Sequence, residues 1–293
     1  MVHHCINSVH FARACLEKSF LPPAIGSSVT MPTNLEKYMF PKRLRAATIA
    51  LMVSAAPALA DDVRVIGTGA VKHSVMALSK AFQKETGHRI VSTFGTAGAV
   101  SARFDAGESA DVLISSSGGV RDIAAKGKFA TGDATPVGKV RIGIGICTGS
   151  PKPDTSTPAA LKTALLAAPS FAYGDPASGA TTGIHFAKIL TELGIADQVK
   201  GKALLRNGGL LVMKEVAEGN AAFGVTQTSE IIALPGCEIA GYLPDAMQLV
   251  TTYAAALTKD SKTPAAKAFI DFLVSPQGVE IFRREGFEPA YPR

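Results

Sequence analysis

The familiar signatures of catalysis are missing from this chain of 293 residues. It holds no GxSxG elbow, no HExxH pair and no P-loop, and nothing else supports a covalent nucleophile. Gly67-Thr68-Gly69 follows a predicted strand, but the third glycine and later acid of a dinucleotide loop are out of register. Only four cysteines are present, and neither Cys147 nor Cys237 lies in a CxxC or His-rich setting, so a zinc site is not expected. Long apolar runs are also lacking. The uncharged run 46–56 has eleven residues, about 16 Å of helix against roughly 30 Å of hydrocarbon, too short to anchor the chain in a membrane. There is no repeat and no low-complexity linker, and no block of Lys and Arg after residue 60.

What is there begins with that short run. Lys42, Arg43 and Arg45 precede it, and Pro57-Ala58-Leu59-Ala60 follows with the small–x–small pattern of a cleavage site. Residues 39–60 therefore read as a secretory signal cleaved after Ala60, which places the mature protein in the periplasm. Residues 1–38 show no coherent pattern and are set aside as a leader or upstream extension, with Met39 or Met31 as the start. Residues 61–293 then carry 24 basic and 22 acidic groups, a net charge of only +2. Without a basic patch, nucleic acid is not an expected partner. Cys147 and Cys237 remain in the mature part, and in an oxidising compartment they could pair or stand singly.

Short β-rich runs alternate with helical spacing, the pattern of a mostly parallel α/β architecture. Strands are expected at 63–66, 90–94, 111–114, 171–173, 222–226, 239–243 and 249–256, with an extended crossing strand at 140–147. Helices are expected at about 75–86, 100–106, 158–167, 183–193, 209–218, 264–274 and 277–284. Several strands run into small-residue turns and then a helix: Gly67-Thr68-Gly69, Gly95-Thr96-Ala97-Gly98, Gly174 to Thr182, and Arg206-Asn207-Gly208-Gly209. A helix start presents unpaired N–H groups and partial positive charge, which together hold anions. In open parallel sheets such turns gather at the carboxyl ends of the strands. Any one of these turns could be merely a cap; it is their number that points to a binding site.

The order Val91-Ser92-Thr93-Phe94-Gly95-Thr96-Ala97-Gly98, then Asp105-Ala106-Gly107-Glu108-Ser109-Ala110-Asp111-Val112-Leu113-Ile114, with Gly174-Asp175-Pro176 and the tail from Phe269 through Pro276-Gln277-Gly278 to Gly286-Phe287, resembles type II periplasmic binding proteins. The molybdate-binding components of ABC transporters are the nearest in pattern, and the likeness spans 61–288. It implies two hinged α/β lobes with mixed, mostly parallel sheets: lobe I from 61–139 plus 250–293, and lobe II from 140–249. It also implies a small anionic ligand in the cleft, an ABC permease as partner, a monomer, no cofactor and no metal. The family's five gripping positions fall at Ala70, Ala97 or Gly98, Thr182, Gly209 and Gln227. Side-chain hydroxyls are lost at several of them, which points away from molybdate and toward a larger, flatter anion. Gly69 and Gly98 would allow close approach, and Lys72, Thr96, Thr181, Asn207 and Gln227 would supply donors. A periplasmic aconitate isomerase is similar to the same family. On that alternative Lys72 or His73 would be the base of an allylic proton shift, and Thr182, Gly209 and Gln227 would hold carboxylates.

Overall fold

The computed structural model describes residues 60–128 and 134–290. The leader at 1–38 and the signal run through residue 59 lie outside the described residues.

In chain order, the first part contains β1 (Asp62–Thr68), α1 (Lys72–Thr86), β2 (Arg89–Gly95), α2 (Ala97–Asp105), β3 (Val112–Ser116), α3 (Ser117–Ala125) and β4 (Thr135–Val140). The middle contains β5 (Ile142–Cys147), α4 (Pro158–Ala167), β6 (Phe171–Gly174), α5 (Thr181–Glu192), α6 (Ala196–Val199), β7 (Ala203–Arg206), α7 (Gly209–Ala217), β8 (Gly224–Gln227), α8 (Thr228–Ile232) and β9 (Cys237–Tyr242). The last part contains β10 (Thr251–Leu257), α9 (Pro264–Leu273) and α10 (Pro276–Arg284).

These strands form two five-stranded sheets, ordered β2-β1-β3-β10-β4 and β7-β6-β8-β5-β9. Each is mixed. β1 is parallel to β2 and β3, while β10 runs antiparallel to β3 and β4. In the second sheet β6 is parallel to β7 and β8, while β5 runs antiparallel to β8 and β9.

Helices cover both faces of each sheet, so strands here are apolar on both sides. Val63, Val65, Val112 and Ile114 pack with Val75, Leu78 and Phe82 of α1 and with Phe269 and Phe282 of α9 and α10. Ile66 and Leu113 point the other way, to Val100, Phe104, Val120 and Ile123 of α2 and α3. The second sheet repeats the scheme. Ile142, Ile144 and Ile146 meet Leu161, Leu165 and Phe186 on one face, and Val212, Met213 and Val216 of α7 lie on the other. The alternating glycines of β5 belong to that second face: a Cβ on Gly145 would sit 2.5 Å from the Met213 sulfur.

Local chemistry sets the helix ends. Thr157, Thr263 and Ser275 each accept a backbone N–H at the starts of α4, α9 and α10, and proline follows each cap,. Gly87 ends α1 at φ 81°,.

The expected crossing strand at 140–147 is two strands. β4 ends in the first sheet at Val140 and β5 begins in the second at Ile142, so the sheet changes at Arg141. The chain returns between Tyr242 and Thr251. Gln248 fastens the two passages, accepting from the Ile142 N–H at 2.8 Å and donating to the Ile142 carbonyl at 3.0 Å. Arg141 adds an ion pair to Asp245 at 3.2 Å and stacks over the Tyr242 ring at 5.1 Å. Cys147 and Cys237 face each other across β5 and β9, yet Cys237 is a free thiol, so the two do not pair.

Candidate functional site

The carboxyl ends of the strands bring their turns together around a cavity of about 240 Å³ between the two sheets. The first sheet contributes Thr68, Gly69 and Ala70 from the turn after β1, and Lys72 from the start of α1. Phe94 to Ala97, Ser116 at the end of β3, and Tyr253 on β10 complete that wall. The second sheet contributes Ala180 to Thr182 at the start of α5, Asn207 to Leu211 at the start of α7, Gln227 at the end of β8, and Glu230.

Neither Ala180 before α5 nor Gly208 before α7 caps its helix through a side chain, although Glu230 takes the Gly209 amide of α7. First-turn amides have no acceptor within their own helix, so those of Thr181, Thr182, Leu210 and Leu211 are available to a ligand. Gly208 is at φ 112°, a conformation glycine adopts readily,. Gly209 is glycine for another reason, since a Cβ there would lie 2.0 Å from both Glu230 Oε2 and Thr226 Oγ1.

Glu230 is the group the sequence did not announce. It is 6 % exposed, accepts the Gly209 N–H at 3.2 Å, and accepts the Thr226 hydroxyl at 2.6 Å. Burial pushes its carboxyl above the usual range, opposed by the hydrogen bonds from Thr226, Gln227 and Gly209,. Beside it, the Tyr253 hydroxyl donates to Gln227 Oε1 at 2.7 Å, a bond between the two lobes. Burial first, and the Glu230 charge second, push the phenol upward, so it stays protonated. Thr68 is 5 % exposed and lines the cavity beside the Tyr253 hydroxyl, which it meets through its side chain.

Of the positions singled out in the sequence, Gly69, Ala70, Lys72, Thr96, Ala97, Thr181, Thr182, Asn207, Gly209 and Gln227 line this cavity. Gly98 is not among the lining residues. Its N–H donates to the Gly179 carbonyl at 3.2 Å, part of a lip where the two lobes touch. The Thr96 hydroxyl is engaged at that lip too, donating to Ser178 O at 2.5 Å while capping α2 through the Ala99 N–H. The Gly209 amide, read as a ligand donor, is taken by Glu230. His73 is absent from the cavity wall. Arg206 pairs with Glu215 at 2.8 Å, and His185 contacts the Met247 carbonyl at 2.8 Å. Neither lines the cavity.

Sequence reasoning missed Thr68, Ser116 and Tyr253, so it undercounted hydroxyls. Thr68 and Ser116 could have been found as polar residues closing β1 and β3. Gln227 carries no hydroxyl, but a phenol reaches the cavity from Tyr253 of β10. Among the described residues no group of three or more His, Cys, Asp or Glu could hold a metal ion.

The comparisons with known proteins agree with this architecture. The family described as bacterial extracellular solute-binding protein matches residues 63–288, and the chain belongs to it. Aconitate isomerase of a Pseudomonas species is 30% identical over 264 residues, covering 86% of this chain and 98% of that protein. Molybdate-binding protein ModA of Escherichia coli is 26% identical over 237 residues, covering 78% and 91%. Among solved structures, the periplasmic molybdate-binding protein of Azotobacter vinelandii superposes with a TM-score of 0.66 at 21% identity, over 79% of this chain and all of that one. The fold is therefore the two-lobed one of periplasmic binding proteins, and the protein is a solute-binding protein. No helix among the described residues is long and apolar enough to cross a membrane.

Proposed function

We propose that this protein is a periplasmic receptor for a small anion, an organic carboxylate or an oxyanion, which it delivers as a monomer to the permease of an ABC importer. The observation that carries the reading is the pair of helix starts, α5 and α7, sharing one cavity with the Lys72 ammonium from the other lobe,. Residues 61–139 with 250–293 would form one lobe and 140–249 the other, closing on the ligand through Arg141 and the return passage. The names of the molybdate-binding relatives support an anion. The apolar surfaces of Phe94, Leu210 and Leu211 in the wall favour a ligand with carbon as well as charge.

A melting experiment with di- and tricarboxylates, molybdate, sulfate and phosphate tests this reading. At a hundredfold excess over Kd a ligand adds about 2.7 kcal/mol, roughly 5–10 °C in Tm for a protein of this size. A panel without a single shift would sink the receptor reading.

A second reading is favoured by Glu230. A pure anion receptor has no evident use for a buried carboxyl beside its ligand, whereas an enzyme that moves protons does. The aconitate isomerase relative supports this alternative. Absorbance of trans-aconitate over time with the purified protein checks it: a decline supports isomerisation, and a flat trace excludes it.

A further inference from the structure

We propose that Glu230 is the catalytic base of an allylic proton transfer, acting on an unsaturated polycarboxylate held in the cavity by the starts of α5 and α7 and by Lys72. The proposal rests on the isomerase reading, and adds to it the residue and the substrate class.

Three observations carry it. First, Glu230 is the one carboxyl in the cavity wall, and the wall's other titratable groups are Lys72 and Tyr253. Second, it is held rigidly: Gly209 and Thr226 fix its two oxygens from the second lobe. Across the cleft the turn at Gly69 comes so near that a Cβ there would be 3.2 Å from Oε1. The carboxyl therefore sits where the lobes meet, against any ligand they enclose. Third, the Thr68 hydroxyl lies in the same wall beside Tyr253, a polar position that a ligand in the cavity can reach. His73 does not reach the cavity, which removes one of the two bases suggested by the sequence. Burial also strengthens Glu230 as a base, because a carboxylate denied water gains more by taking a proton,.

The step balances without a co-reactant. The Glu230 carboxylate takes a proton from the saturated carbon next to the double bond, forming O–H and breaking C–H. The freed electron pair becomes a new C=C bond, and the original π pair moves into the conjugated carboxylate, giving a dienolate with one added negative charge. Amides at the helix starts and the Lys72 ammonium face that charge. When the electrons return, the far allylic carbon takes the proton from Glu230, and the carboxylate is restored. The double bond has moved by one position, with nothing oxidised or reduced.

The test is kinetic and isotopic, on the whole protein, with cis- and trans-aconitate as substrates and saturated tricarballylate as the binding probe. Wild type should interconvert the aconitates and, in D2O, place deuterium at an allylic carbon. Glu230→Gln keeps an oxygen to accept the Gly209 N–H, so it should bind tricarballylate within threefold of wild type. Its turnover should fall by at least a hundredfold, in kcat rather than KM. Glu230→Asp keeps the acid but withdraws it by one methylene, and should retain an intermediate rate. It serves also if the glutamine variant does not fold. If either variant turns over at the wild-type rate, Glu230 is not the base and the proposal falls, while the isomerase reading stands. Should wild type bind tricarballylate yet neither isomerise nor exchange, the isomerase reading fails and takes the proposal with it, leaving the receptor.

Discussion

The two walls of the cavity use different chemistry for the same task. The wall built on the first sheet offers side chains: the Lys72 ammonium, the hydroxyls of Thr68, Ser116 and Tyr253, and the Phe94 ring. The wall built on the second adds backbone amides at the starts of α5 and α7, beside the side chains of Thr182, Asn207, Gln227 and Glu230. Side-chain charge can be removed by one substitution, whereas main-chain amides cannot. The difference predicts that the first wall sets how strongly an anion is attracted, and the second where it lies.

The largest effect should come from filling the space around Glu230 on the backbone side. Gly209→Ala puts a methyl 2.0 Å from Glu230 Oε2 and Thr226 Oγ1, and overpacking of that kind costs about 1–3 kcal/mol. Gly69→Ala approaches the same carboxyl from the opposite wall at 3.2 Å, and should cost well under 1 kcal/mol. Urea denaturation of both variants reads the contrast; equal losses would show that the two walls hold Glu230 alike.

Next in size is charge against backbone. Lys72→Ala should weaken anion binding by roughly 10–100-fold, the value of a hydrogen bond to a charged group. Thr182→Ala leaves its amide in place and should cost less than about threefold. Calorimetric titration with tricarballylate checks both, and a reversed order would break the comparison.

The smallest effect is on pH. The folded carboxyl of Glu230 binds its proton more tightly than it would in an unfolded chain. As pH rises past 4.5, the ordinary glutamate value, the unfolded state gives up this proton first, so the folded state becomes less favoured. The loss continues until the raised folded value is passed, with a slope of at most about 1.4 kcal/mol per pH unit for one proton. Glu230→Gln should flatten that part of the stability profile, measured by urea unfolding between pH 4 and pH 8.

Much of this was readable from residues alone. Ten lining positions were legible because a strand followed by a small-residue turn and a helix has one common geometry, with the turn at the sheet's carboxyl edge. Helix α4 was readable at both ends because Thr157 and Pro158 mark its start. Glu230 was not readable, because it sits on a helix of five residues and owes its position to the long-range approach of Gly209. Tyr253 was hidden for a similar reason: alternation shows that a strand residue faces inward, but not that it meets Gln227 of the other lobe. Gly98 was misplaced because the residues just before it in the same turn do line the cavity, while its own amide is taken up by Gly179. The crossing was read one strand short: β4 (Thr135–Val140) carries Pro136 and Lys139 and shows no strand pattern, so only the run 140–147 stood out.

The most direct test of anion capture by the starts of α5 and α7 against the opposite wall is a titration followed through the backbone amides by NMR. Adding tricarballylate should give its largest shifts, saturating together at one ligand per protein, at Thr181, Thr182, Leu210 and Leu211, with Ala97 responding from the opposite wall. Shifts confined to exposed lysines, or to one lobe without the other, would contradict the account.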